Sequence, residues 1–479
     1  MLNVNRRKMD YYLGYILTVL LTIFRTIKNY IRSVILAWKL PGPTALPILG
    51  NVLILKNHTE LIYLGNHAYN MYGKFFRVWC SILPAVFIYE PRHLKLILST
   101  NKNNEKSLFY RALHNFIGEG LITNNGYKWK KNRKMIQPYF HMNILEKFVD
   151  LFTECSSRFV SKLEGEQTVK ITPFINDCVL DILHNGVLGV PFDKDSPYRK
   201  GELQAIERFV RPWLLFDSIF DRTTSANYEK KQKHSLHSYT KEVLNNRRQE
   251  IKKGTKTCFL DMFIEIADNN SQFTEDDIIN EIVTFMLAGQ DSVGATIAFA
   301  MFYLAKHPEI QDKVLKEISG IDDTQKITIK ELNEMKYLEQ VVKETLRMTP
   351  AVPIITRVLT EDVTLDETVF PCGTIIFISP FMTQRLPHVF PDPTRFDPDR
   401  FEESNLENIH PYAFLPFSLG PRNCIGYKFA MIEVKTVLFY VLKKFQLSVA
   451  KGKEELSLSY RATIRASGGI WVNLKHRKS

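Results

Sequence analysis

The 479-residue chain is 45% hydrophobic and 24% charged, with 22 glycines and 22 prolines, a folded globular composition that excludes collagen-like, low-complexity and wholly disordered chains. Six scattered cysteines are too few for a disulfide scaffold and show no zinc-type pairing, which points to a reducing compartment. The formal charge of +12 sits at the ends, with +6 on residues 1–39 and +3 on the last five, so the body keeps only +3 and no nucleic-acid module is expected.

The first element is apolar. Tyr11–Phe24 holds two threonines and no charge, and after Arg25 and Lys28 the pattern resumes with Ile35, Leu36, Ala37 and Trp38. Fourteen residues fall short of the ~20 that cross a bilayer as a straight helix, but basic flanks can snorkel and Trp38 suits an interface. Residues 1–39 are therefore expected to be a membrane anchor or targeting segment; an ordinary buried helix is the plain alternative, and an Arg-rich, acid-poor start also suits a mitochondrial transit peptide. No other stretch is expected to span a membrane. Pro41-Gly-Pro43 ends the helix and opens a body running from 40 to 479.

Within that body Phe75–Trp79 and Ala85–Tyr89 read as paired strands, being aromatic and β-branched. Residues 126–348 are mostly helical in period. Strands are expected again at Ile354–Val358 and Thr374–Ile378, then a last helix near 425–443 and terminal strands. The class is mainly α (α+β), with small sheets at both ends of the sequence. The longest helix begins at Thr274, an N-cap with Asp277 three residues on, and stops at Lys306-His307-Pro308. At ~1.5 Å per residue it spans nearly 50 Å, enough to cross a domain. Its centre, Ala288-Gly-Gln-Asp-Ser-Val-Gly294, puts two glycines and three polar residues into an apolar helix, which suggests either a kink or a ligand pressed against the backbone.

The segment Phe417-Ser-Leu-Gly-Pro-Arg-Asn-Cys-Ile-Gly426 carries a chemistry of its own. It resembles the haem-binding loop of the cytochromes P450, Phe-x-x-Gly-x-Arg-x-Cys-x-Gly, at every fixed position. The resemblance implies the fold of that family, with a long central helix over haem b, and Cys424 as the axial thiolate that favours O–O cleavage. Gly420 and Gly426 would let the backbone lie close to the macrocycle, Phe417 would shield the thiolate, and Arg422 would reach a haem propionate. The other five cysteines read as inert thiols. Glu344-Thr-Leu-Arg347 and Arg400 of Pro398-Asp-Arg-Phe401 match a structural Glu–Arg–Arg cluster of the family. Trp129, Arg133 and Arg357 match its propionate partners. Lys130, Lys131 and Lys134, about 100–200° around the helix from Trp129, are expected on the outward face toward an acidic electron donor, with a solvated charged face as the plain alternative.

Residues 288–294 resemble the oxygen-activation stretch of the family, with Asp291 as the acid, Ser292 in place of the usual Thr, and Val293 in place of a second hydroxyl. Splitting O–O needs protons in a dry pocket, so this pair is the expected relay, and the freer serine raises a question about coupling. Trp129–Phe148 and Phe417–Met431 are similar to family 4 of the microsomal P450s, from about residue 40 to the end. Ala288 stands where many of those proteins carry a haem-esterifying Glu, so the haem is expected to be held without a covalent tether. Phe285, Ala288, Val293, Val352, Ile354 and Ile464 are the candidate pocket residues, and their apolar character suits a fatty acid, isoprenoid or foreign lipophile. The resemblance implies a monooxygenase of the endoplasmic reticulum membrane, fed by NADPH-cytochrome P450 reductase and in some cycles by cytochrome b5. A haem-thiolate isomerase or dehydratase, or a non-catalytic haem carrier, are the alternatives.

Overall fold

A computed structural model describes residues 2–51, 53–54, 58–199, 208, 211–251, 258–321, 326–460 and 463–477, with the side chains of 2–10, 58–60 and 212 outside the description. Part of the terminal charge noted above, Lys478 included, lies beyond these residues. The helices of eight or more residues are α1 (Leu2–Lys39), α2 (His58–Tyr72), α3 (Pro91–Leu98), α4 (Gly126–Ile136), α5 (Val149–Leu163), α6 (Ile171–Leu183), α7 (Thr224–Ile251), α8 (Phe259–Asn269), α9 (Glu275–Lys306), α10 (Pro308–Ile318), α11 (Lys336–Met348) and α12 (Tyr427–Lys444).

Among the described residues four small sheets accompany them. The largest runs β1 (Phe75–Cys80), β2 (Leu83–Ile88), β7 (Ile375–Ile378), β4 (Ile355–Val358), with β3 (Thr168–Lys170) belonging to a second sheet described below. The β1–β2 hairpin is antiparallel, and β2 pairs in parallel with β7, Phe87 opposite Phe377. β2 is buried at five successive positions and β7 at all four, as expected of interior strands covered on both faces. β4 closes the sheet antiparallel to β7 and sets Arg357 opposite Ile376. Hairpin β5 (Val363–Leu365)–β6 (Thr368–Phe370) stands alone; β8 (Phe445–Val449), β11 (Trp471–His476) and β3 form the second sheet; β9 (Leu458–Tyr460) and β10 (Ile464–Ala466) make a final two-stranded sheet. The expected strands and the mainly helical α+β class are thus present within a residue or two of their expected limits.

Helix α9 is the axis of the main core. Its start is the reciprocal cap expected at Thr274: the Thr274 Oγ1 accepts from the Asp277 N–H at 3.2 Å, and Asp277 Oδ2 accepts from the Thr274 N–H at 3.0 Å. Every residue from Val293 to Ala305 is buried. Helices α6 and α12 pack against it. The two central glycines lie against α6. A Cβ at Gly289 would lie 2.9 Å from Leu183 Cδ2, and one at Gly294 3.1 Å from Asn176 Oδ1, both on α6, and the helix runs unbroken through both.

One expectation about membranes changes. α9 is itself long and apolar enough to cross a bilayer, but two-thirds of its apolar window is buried inside the protein, so it is a core helix. Helix α1 ends at Lys39. Tyr11 to Phe24 are exposed, whereas the last turns of α1 dock on the body. There Tyr30 Oη donates to the Ile82 carbonyl at 3.0 Å, Arg32 grips Asp362 through two bonds of 3.1 and 2.6 Å, and Leu36 and Ala37 are buried.

Candidate active site

The Phe417–Gly426 loop is shaped by backbone geometry. The Cys424 N–H donates to the Phe417 carbonyl at 2.8 Å, closing the loop on itself. Ser418 and Gly420 both have positive φ, at 55° and 76°. Glycine at 420 is required by α3: a Cβ there would sit 1.8 Å from the Leu98 carbonyl oxygen. At Gly426 a Cβ would meet only Phe140, at 3.7 Å, so protein packing alone does not demand glycine there. Cys424 is accessible, yet enough protein surrounds it to desolvate the thiol. Burial pushes the thiol up from its ordinary value, opposed by a bond from the Gly426 N–H and by the charge of Arg133. All six cysteines are free, four of the other five are buried, and burial holds those thiols protonated.

Four cations converge beside this loop. Arg133 of α4 donates to the Asn423 carbonyl at 2.9 Å and to Asn423 Oδ1 at 2.7 Å, so it braces the residue before the cysteine. Arg422 lies over the Trp129 ring at 3.7 Å and donates to the carbonyls of Asn104 and Asn124 and to Asn125 Oδ1. Arg357 is 1% exposed, and Lys106 stands over the Tyr110 ring at 4.0 Å. Lys106 and Tyr110 carried no motif and were not anticipated. Burial, then the charges of Arg357 and Arg422, drive the Lys106 amine well below its ordinary value, and burial with Arg357 brings Arg422 down to about 9. Among the described residues none of these four cations has a carboxylate within 4 Å. Such a cluster is costly unless an anion joins it.

The expected structural cluster assembles. Glu344 and Arg347 are fully buried on one face of α11 and meet through two bonds of 2.7 and 2.8 Å. Arg347 also donates to the carbonyls of Gln384, Pro393 and Arg395, and Arg400 Nε stands 3.6 Å from Glu344 Oε1. Replacing Arg347 by Ala should cost about 3–5 kcal/mol, because it strands a buried carboxylate and three carbonyls; Arg347→Lys should recover little of it. Denaturant unfolding of the loaded protein checks this, and a loss below about 1 kcal/mol would contradict the argument.

On α9 the run Ala288–Ser292 is only half-buried, although the helix beyond it is buried throughout. Ser292 Oγ donates to the Ala288 carbonyl at 2.8 Å. Asp291 does not meet Ser292: its two oxygens accept from Thr463 and Arg465 of the β10 segment.

A family model described as Cytochrome P450 matches residues 40–467. The chain belongs to the cytochrome P450 family. It is 44% identical to probable cytochrome P450 4aa1 of Drosophila melanogaster, over 95% of this chain and 93% of that protein. It is 32% identical to Drosophila cytochrome P450 4c3 and 33% to mouse cytochrome P450 4V2, with at least 93% of each relative covered. The fold is therefore the P450 fold, and the protein is a haem-thiolate monooxygenase that binds haem b through a cysteine thiolate and uses O₂, a substrate and redox partners.

The residues present fit that cofactor. The Cys424 thiol is accessible though desolvated, and beside it stand cations with no carboxylate within 4 Å among the described residues, matching the two propionates on the rim of haem b. Other expected residues of the P450 separate into two groups. Ala288, Val352 and Ile354 are half-buried. Val293 and Ile464 are buried in the core at 5% and 0% exposure, and Phe285 stacks on Phe140 at 5.4 Å within an aromatic cluster. Of the basic face, Lys130 and Lys134 are exposed, whereas Lys131 is half-buried with Nζ bound to the Gln272 carbonyl.

Proposed function

We propose that this P450 converts a lipophilic substrate, O₂, NADPH and a proton into the hydroxylated product, water and NADP⁺. One oxygen atom enters a C–H bond; the other leaves as water. NADPH-cytochrome P450 reductase supplies the electrons, with cytochrome b5 as a second donor, docking at the face that carries Lys130 and Lys134. Helix α1 holds the body at the endoplasmic reticulum membrane, its exposed Tyr11–Phe24 in the lipid and Trp38, 72% exposed, near the interface.

The observation that carries this reading is the set of buried cations around the Cys424 loop. Bound haem supplies the activation of O₂; the chain binds, orients and feeds it. Cys424 would be the iron ligand. Arg357, Arg422 and Lys106 would take the propionates, while Arg133 and the Gly426 N–H stabilise charge on the sulfur. Ser292 Oγ and Asp291 would move protons on the opposite side, and the half-buried run Ala288–Ser292, with Val352 and Ile354, would face the substrate. The test is turnover in lipid vesicles with the reductase against fatty acids, isoprenoids and foreign lipophiles. Product that depends on NADPH supports the reading; product formed without it would indicate an isomerase or dehydratase.

Ala288 has no group able to esterify the haem, so acidified organic extraction should strip essentially all haem from the polypeptide. Haem retained on the denatured chain would overturn a non-covalent site.

A further inference from the structure

The acid of the proton relay does not face its alcohol partner. Asp291 Oδ2 accepts from Thr463 Oγ1 at 2.5 Å, and Oδ1 accepts from Arg465 Nη2. These donors lie 172 and 174 residues away in sequence, on either side of Ile464 at the start of β10. Arg465 is 20% exposed, and among the described residues Asp291 is its one carboxylate partner within 4 Å. Each charge therefore needs the other: removing one leaves a partly buried ion behind.

The segment that supplies both donors is tied to the pocket region. Ile464, between them, is fully buried, and its N–H donates to the Ala351 carbonyl at 2.9 Å. Ala351 directly precedes Val352 and lies three residues before Ile354, both half-buried candidate pocket residues. Among the described residues the β9–β10 sheet has three paired positions, too few to be rigid alone, and it is steadied by packing such as Tyr460 edge-on to Phe381 at 5.6 Å. Displacement of 351–354 thus has a short route to the two donors on Asp291.

A carboxylate that accepts from a guanidinium and a hydroxyl is held as the anion and has no proton to give. Ser292 is likewise spent on the Ala288 carbonyl. Resting on the reading of Asp291 as the relay acid, we propose that Thr463 and Arg465 are positioning residues that hold Asp291 in reserve, and that filling the pocket loosens this hold through the Ala351–Ile464 link, so that protons reach the oxygen site when substrate is in place.

The test needs no identified substrate. Full-length, haem-loaded protein in vesicles with reductase is assayed for substrate-free NADPH oxidation, its solvent deuterium effect, and thermal unfolding. Arg465→Met should raise substrate-free oxidation at least threefold, Arg465→Lys much less, and Asp291→Asn combined with Arg465→Met should cancel the rise. In the melts the double variant should lose little more than either single one, because both singles break the same pair. Should Arg465→Met fail to load haem, Thr463→Val with Arg465→Lys gives the same comparison at one donor each. If Asp291→Asn lowers the rate or its isotope effect while no donor variant raises the rate, or if the melts are additive, the hold is overturned and the relay reading stands. If Asp291→Asn changes neither rate nor isotope effect, the relay reading itself fails.

Discussion

Cys424→Ala should fold, yet show none of the strongly red-shifted Soret band that reduced thiolate-ligated haem gives with carbon monoxide, and its monooxygenation should fall to background. Folding should survive because the loop is built without the sulfur. Its closure is the Cys424 N–H on the Phe417 carbonyl, its turn is set by the positive φ of Ser418 and Gly420, and Arg133 holds Asn423. The ligand should be lost because burial keeps the other core thiols protonated and turned into packing. Cys424→Ser tests the same point with nearly the same volume. A red-shifted band in either variant would mean another residue ligates the iron; Cys372→Ala, at a half-buried thiol beside Asp362, should leave the spectrum unchanged.

What could be read in the sequence was local in chain order. The limits of α9 were set by a reciprocal cap at Thr274 and by Pro308, both within a turn of the ends they define. Glu344 and Arg347 are three residues apart, and the cysteine loop is ten residues long, so their patterns survive without tertiary knowledge. What could not be read depends on distant partners. Gly289 and Gly294 lie against α6, a contact that the sequence does not show. The Asp291 donors arrive from the far end of the chain, and Lys106 sits in an irregular stretch with no spacing to mark it. Glu281 is another such case: a fully buried carboxyl that accepts from the Leu121 N–H at 2.9 Å and Asn132 Nδ2 at 3.1 Å, joining α9 to α4.

Glu433→Gln should stabilise the protein, and by an amount that grows with pH. Glu433 lies on α12 with 0% exposure, and neither carboxyl oxygen has a hydrogen-bond donor among the described residues. With no charge to offset it, burial pushes this carboxyl from 4.5 up to about 8. The folded protein therefore keeps a proton that the unfolded chain has released. Between those two values the unfolded state binds fewer protons, so stability falls as pH rises, by about 1.4 kcal/mol per unit, and levels off once the folded form also ionises. Gln mimics the protonated acid in shape and carries no such linkage. The two proteins should match near pH 4.5, and the variant should be ahead by about 5 kcal/mol above pH 8. Glu229 and Glu281 are also raised, to about 7, and would bend the profile of either protein, but they are common to both and drop out of the difference. Unfolding of the two loaded proteins compared from pH 5 to 8 decides the matter. A difference that stays constant with pH would show that Glu433 is already ionised in the fold, with a partner that offsets its burial.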